Sequence, residues 1–164
     1  TSDLVSVFTS PRNAPHMKNV LDTILQGCIE PPDATVHKTC FFTLRCLIEI
    51  WRTNNTITTD GVKQFIYTDV TNRIYQCIFA SHFDPNDANG FSCLREIIEL
   101  QRLIAKIYDQ EYIQYLIDYL LKLGLTNDMI QQYIVLLQSG DINTIKPFII
   151  GIRSMRQLSS PTSR

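Results

Sequence analysis

From Ala14 onward apolar side chains recur three and four positions apart, the spacing that lines one face of an α-helix. Strict alternation, which a half-buried strand needs, does not persist beyond a few residues. The pattern predicts an all-α chain. Its interruptions are regular: Glu30-Pro31-Pro32-Asp33, Thr53 to Asp60, Asp84-Pro85-Asn86-Asp87, Leu123-Gly124 and Ser139-Gly140-Asp141. Each joins a helix stop to a short polar residue able to accept the first free amides of the next helix. Helices are predicted over residues 14–29, 33–53, 60–80, 88–108, 110–123, 126–138 and 141–158, with the end of an eighth near residues 2–9.

Connections this short make consecutive helices antiparallel neighbours. The pair starting at Ala14 is followed about 45 residues later by a pair starting near Asp60, which is the period of HEAT or armadillo repeats. The expected architecture is an α-solenoid of antiparallel helix pairs over residues 1–158, with residues 159–164 a flexible tail. Helical wheels agree: Val36, Cys40, Leu44, Leu47, Ile48 and Trp51 fall on one side of the second helix, and Ile97, Leu100, Ile104, Ile107 and Tyr108 on one side of the fourth. The helix over 110–123 is apolar more broadly, with Tyr112, Ile113, Leu116, Ile117, Leu120 and Leu121 beside Tyr115 and Tyr119. It is expected between two neighbours.

Composition adds bounds. A chain of 164 residues, 45% apolar and 19% charged, is large enough for one ordinary folded unit, and no apolar run approaches the ~20 residues a membrane span requires. The opening Thr-Ser-Asp-Leu-Val-Ser lacks the basic start of a signal peptide, and the first residue, Thr1, is not a methionine, so the chain is read as a fragment of a longer intracellular protein. On that reading Cys28, Cys40, Cys46, Cys77 and Cys93 are expected as reduced core thiols, and the glycosylation pattern Asn54-Asn55-Thr56 is accidental. A formal charge of −1 advertises no nucleic-acid partner, so binding of that kind must come from local patches.

Catalytic patterns are missing. His37, Cys40 and Cys46 resemble a metal set, but on a helix Cys46 points away from the other two and no fourth ligand is near in sequence. His16, His37 and His82 are isolated and read as surface or cap residues; the glycines occur singly, without a phosphate loop. Asp33, Asp60, Asp87, Asp109 and Asp141 stand where helix N-termini call for an acid. No cofactor and no metal are expected, and the chain is read as a binding protein rather than an enzyme.

The charged residues do show order. Lys38, Arg45 and Arg52 recur every seven residues opposite the apolar face of their helix, and Arg95, Arg102 and Lys106 form a similar outward seam on theirs. Glu49 and Glu99 lie at pairing distance within these seams, so a solvated, salt-laced surface is one reading and a phosphate-binding surface the other. After Asp141 no acid follows, while Lys146, Arg153 and Arg156 are basic, with Lys146 and Arg153 on one face.

Several segments resemble a known family: Ile24-Leu25-Gln26-Gly27 with Pro32-Asp33; Lys38-Thr39-Cys40-Phe41 through Leu47, Glu49 and Trp51; Phe65 and Tyr67; Phe83-Asp84 with Asp87-Ala88; Gln114-Tyr115-Leu116; and Ile130-Gln131 through Leu137-Gln138, Asp141, Lys146 and Phe148. In order and near-spacing these blocks are similar to the C-terminal end of exportin-T, over residues 14–150. The tail from Arg156 to Arg164 departs from the pattern, being longer and Ser/Pro-rich, and the first dozen residues match it weakly. The resemblance implies the last HEAT repeats of a receptor that binds tRNA cooperatively with Ran-GTP, meets nuclear-pore proteins and shuttles between nucleus and cytoplasm. Lys38, Arg45, Arg52, Arg95, Arg102, Lys106, Lys146, Arg153 and Arg156 are then the expected tRNA-phosphate contacts. A protein-interaction module whose charged seams are plain surface is the alternative.

Overall fold

The computed structural model describes residues 10–159, which contain seven helices and no strand. The expected helix end near residues 2–9 and nearly all of the expected tail lie outside the described residues. A 3-10 turn, Pro11–Asn13, leads into α1 (Ala14–Gly27), followed by α2 (Ala34–Thr53) and a second 3-10 turn, Thr56–Thr58. Next comes α3, a continuous rod of α-helical Asp60–Gln64, π-helical Phe65–Val70 and α-helical Thr71–Phe79. The rest is α4 (Ala88–Tyr108), α5 (Gln110–Lys122), α6 (Asn127–Ser139) and α7 (Ile142–Ser159).

Local chemistry sets most of these boundaries. Asp33 accepts from the amides of Thr35 (2.8 Å) and Val36 (3.4 Å), Asp87 from Asn89 (2.9 Å) and Gly90 (3.3 Å), and Asp141 from Asn143 (2.8 Å). Gly124, at φ 94°, supplies the left-handed exit from α5 that a side chain would resist. Two expected caps fail. Asp60 lies inside the first turn of α3 behind Thr59, and Asp109 makes no side-chain bond to the amides of α5.

Asp109 instead adopts φ 53°, ψ −134° to turn the chain sharply between α4 and α5. That conformation costs a side-chain-bearing residue on the order of 1–3 kcal/mol. Asp109→Gly should therefore raise stability by about 1 kcal/mol in urea unfolding, after glycine's extra unfolded-state entropy is subtracted. A loss of stability would show that the carboxylate contributes more to the start of α5 than the strain costs.

Alternate helices run in the same sense. Arg45 of α2 meets Glu96 of α4, and farther along in both helices' direction Tyr108 donates to the Ile57 carbonyl at 2.8 Å. Lys63 and Asn72 of α3 meet Glu111 and Tyr119 of α5 in that order. Gln101 and Arg102 of α4 meet Tyr133 and Leu137 of α6. Thus α2, α4 and α6 form one layer and α1, α3 and α5 the other, with each hairpin partner antiparallel, as expected of repeated helix pairs. The last helix, α7, packs on α6 but also reaches α4 and the end of α3.

Because α4 has neighbours on three sides, its burial runs well beyond one stripe, to Cys93, Leu94, Ile97, Ile98, Leu100, Gln101, Leu103 and Ile104. Gln101 is fully buried and ties the layers together. Its Nε2 donates to the hydroxyls of Tyr75 (3.0 Å) and Tyr112 (3.4 Å), and its Oε1 accepts from Tyr133. Tyr112 also meets Thr71 Oγ1 at 2.9 Å, and Thr71 donates to the Ile66 carbonyl in the π turn at 3.3 Å. Burial, above all, raises the pKa of Tyr75, Tyr112 and Tyr133, so all three enter the network as neutral hydroxyls.

Two residue types depart from expectation. Cys28, Cys77 and Cys93 are buried and Cys40 half-buried, all as free thiols, but Cys46 is exposed because it falls on the flank of α2 away from α4. His37 is fully buried rather than superficial: its Nε2 lies 2.6 Å from the Pro31 carbonyl and its Nδ1 3.9 Å from Cys77 Sγ. Burial lowers its pKa. The expected sandwiching of α5 holds for Tyr112, Ile113, Leu116 and Leu120, whereas Leu121 keeps 42% of its surface exposed.

Candidate nucleic-acid interface

The expected basic residues divide into two groups. In the first the charge is already engaged by the fold. Arg45 donates through Nε (3.2 Å) and Nη2 (3.0 Å) to Glu96 of the neighbouring helix, and lies over the Phe42 ring at 5.2 Å. It does not pair with Glu49, which sits 3.6 Å from Arg52.

Arg102 closes the C-terminal end of α6. Its Nε donates to the Leu137 carbonyl at 2.8 Å, and Nη2 to those of Leu136 (3.4 Å) and Gly140. Glu99 is 3.3 Å from Nη1. Arg153 does the same for α3, donating to the carbonyls of Ile78 and Ala80 (3.2 Å) while lying over Phe83 at 5.2 Å. Both guanidinium groups complement the negative end of a helix that is distant in sequence. The fully outward seam is therefore corrected for Arg45, half-buried where α2 packs on α4, and for Arg102, half-buried where α6 covers α4; Arg153 of α7 is half-buried against the end of α3 in the same way.

The second group keeps its heads toward solvent. Arg52, Arg95, Lys106 and Arg156 are exposed, and Lys38 and Lys146 are half-buried. Arg156 lies over the Phe79 ring at 4.4 Å. Most informative are Arg95 and Lys146, which come from helices about 50 residues apart in sequence and converge on one ring, Phe91. The Arg95 guanidinium carbon is 5.6 Å from that ring's centroid and Lys146 Nζ is 5.2 Å.

The acids nearest along α4 have other partners. Glu96 is taken by Arg45, Glu99 by Arg102, and Asp87 by the amides that open α4. Arg95 and Lys146 thus have no ion pair among the described residues. Seven-residue spacing could find Arg95, and the acid-free terminus could find Lys146. Only the crossing of α7 over the start of α4 could join them, and Phe91 carries no signal in the sequence beyond its apolarity.

Other chemistry does not assemble. Among the described residues no three His, Cys, Asp or Glu side chains are placed to hold a metal, and no helix is long and apolar enough to cross a membrane.

Two layers of parallel alternate helices joined by short turns define a helical-repeat solenoid of the kind that binds macromolecules. A family model named Exportin-T matches residues 1–157, and the chain belongs to that family, one of nuclear export receptors. It is similar to Exportin-T of Dictyostelium discoideum, 30% identical over 152 residues that are 90% of this chain and 14% of that protein. Exportin-T of Danio rerio is 28% identical over 144 residues, 88% of this chain and 15% of the relative. The Homo sapiens protein is 28% identical over 150 residues, 91% and 15% respectively. The chain therefore spans about one seventh of the length of these relatives. No solved structure matches it significantly.

Proposed function

We propose that the chain forms the C-terminal repeats of a nuclear export receptor that binds tRNA together with Ran-GTP, and that Arg95 and Lys146 are its central tRNA-phosphate contact. Lys38, Arg52, Lys106 and Arg156 would add outlying contacts, and Arg45, Arg102 and Arg153 would act mainly in holding the helices that carry them. The role is binding without catalysis, and the receptor would shuttle between nucleus and cytoplasm, meeting nuclear-pore proteins on the way.

One observation carries this reading: two cations from different helices share an aromatic support, while Glu96 and Glu99 on the same helix as Arg95 pair with other arginines. A phosphodiester is an anion with accessible oxygens on all sides, so such a pair can bind it through charge and shape without reading bases. In the full-length receptor with Ran-GTP, Arg95→Glu with Lys146→Glu should weaken tRNA binding by ~tenfold or more at moderate salt. The dependence of log affinity on log salt should become shallower by about 0.9 for each phosphate that is no longer neutralised. Unchanged affinity and slope would overturn the RNA contact and leave the chain as a protein-interaction module.

A further inference from the structure

Two like charges do not gather around one point without cause. Arg95 and Lys146 each lie close to the Phe91 centroid, so the two charged groups are at most about 11 Å apart, comparable to the Debye length of ~10 Å at 0.1 M salt, and each feels the other. Left to themselves, long basic side chains spread apart in solvent, because repulsion and rotamer entropy favour that. The ring opposes both effects: its negative face attracts each cation, contributing the few-fold stabilisation typical of exposed cation–π pairs.

Phe91 is itself firmly placed. It sits in the first turn of α4, where its amide donates to the Asp87 carbonyl at 2.8 Å, and it follows Gly90, which is buried against the Asp84 carbonyl. Cys93 and Leu94 on the same turns are fully buried. The ring is half-buried, so one part packs while another remains available to the cations.

We infer that Phe91 is a positioning residue for anion binding: it holds Arg95 of α4 and Lys146 of α7 as one two-pronged clamp for a phosphodiester. The inference rests on the tRNA-phosphate reading above and deepens it. Phe91 touches no phosphate. It lowers the entropy that binding would otherwise cost by keeping both cations gathered before the anion arrives, and the anion in turn relieves their repulsion. Loss of the ring leaves the number of charges unchanged, so the effect separates from that of charge reversal.

The test uses the full-length receptor with tRNA and Ran-GTP. Phe91→Leu should weaken tRNA binding about fivefold while leaving the salt slope near wild type, because both cations remain. Phe91→Tyr, which keeps a ring face, should bind within about twofold of wild type. Phe91→Met, a second non-aromatic side chain, should behave as the leucine variant does, and thermal unfolding of all three identifies any loss due to folding. Wild-type affinity in a folded Phe91→Leu or Phe91→Met variant, with the Arg95→Glu, Lys146→Glu double variant impaired, would overturn the positioning role and leave the phosphate contact standing. Equal loss in Phe91→Tyr and Phe91→Leu would also overturn it, since the ring would not be the agent. If the double variant binds normally, the phosphate contact itself is wrong and the clamp falls with it.

Discussion

Gly90→Ala is expected to destabilise the chain by about 3–5 kcal/mol, a large effect for one added methyl group. A Cβ built at this position lies 1.8 Å from the Asp84 carbonyl oxygen and 2.7 Å from its carbon. Both are backbone atoms, so no rotamer change relieves the clash. Either the start of α4 or the 83–87 turn must move, and each is anchored: Phe83 is buried, and Asp87 caps the helix. Phe91 is the next residue, so the shift should also part Arg95 from Lys146 and weaken anion binding. Gly61→Ala and Gly151→Ala are the controls. Both glycines are in helices with open space beside them, and alanine there should stabilise by about 0.5–1 kcal/mol. Urea unfolding distinguishes the two directions, and a Gly90→Ala chain as stable as wild type would contradict the packing described for the α3–α4 turn.

The second large effect is expected from Gln101→Leu, at about 2–4 kcal/mol. Leucine is close in size and better suited to a core, so hydrophobicity alone predicts a gain. The loss arises from the hydroxyls it leaves behind. Tyr133 and Tyr75 lose the amide that satisfies them and keep only each other, in a region without exposed surface, while Tyr112 keeps Thr71. Tyr133→Phe in the Gln101→Leu background should recover part of the loss, because it removes one stranded hydroxyl. Strict additivity of the two changes would mean that the network does not act as a unit. Gln101 contacts residues of α3, α5 and α6, so its loss should loosen contacts between repeats as well as within them.

These two positions show where the sequence was legible and where it was not. Every described helix begins and ends within two residues of its predicted bounds, since Pro31-Pro32, Asp87, Gly124 and Asp141 act locally. The amide cap at Asp33 depends on only three residues. Gln101, by contrast, looks like any polar helix residue until its neighbours enclose it, and His37 likewise until Pro31 and Cys77 approach from either side. Phe42 and Phe41 adjoin in sequence, yet one is 46% exposed and the other fully buried, because consecutive residues of a helix point about 100° apart and only Phe41 shares the face of Leu44 and Ile48.

The basic residues follow the same division. Spacing placed Lys38, Arg45, Arg52, Arg95, Arg102 and Lys106 away from the principal apolar stripes, because helical periodicity is a property of one chain segment. What each does depends on its neighbours. Arg102 and Arg153 find the open carbonyls of helices 34 to 75 residues away in sequence. Arg45 finds Glu96 on the neighbouring helix, while Arg95 finds the ring of Phe91.

Fold class, helix order and family were thus contained in the sequence, because they rest on local periodicity, caps and ordered blocks of residues. The burial of Gln101 and His37, the engagement of three arginines in packing, and the meeting of Arg95 with Lys146 over Phe91 were settled only when the helices packed. A salt bridge, a buried amide or a shared aromatic ring is a relation between surfaces, and a helix carries no record of which surface it will meet.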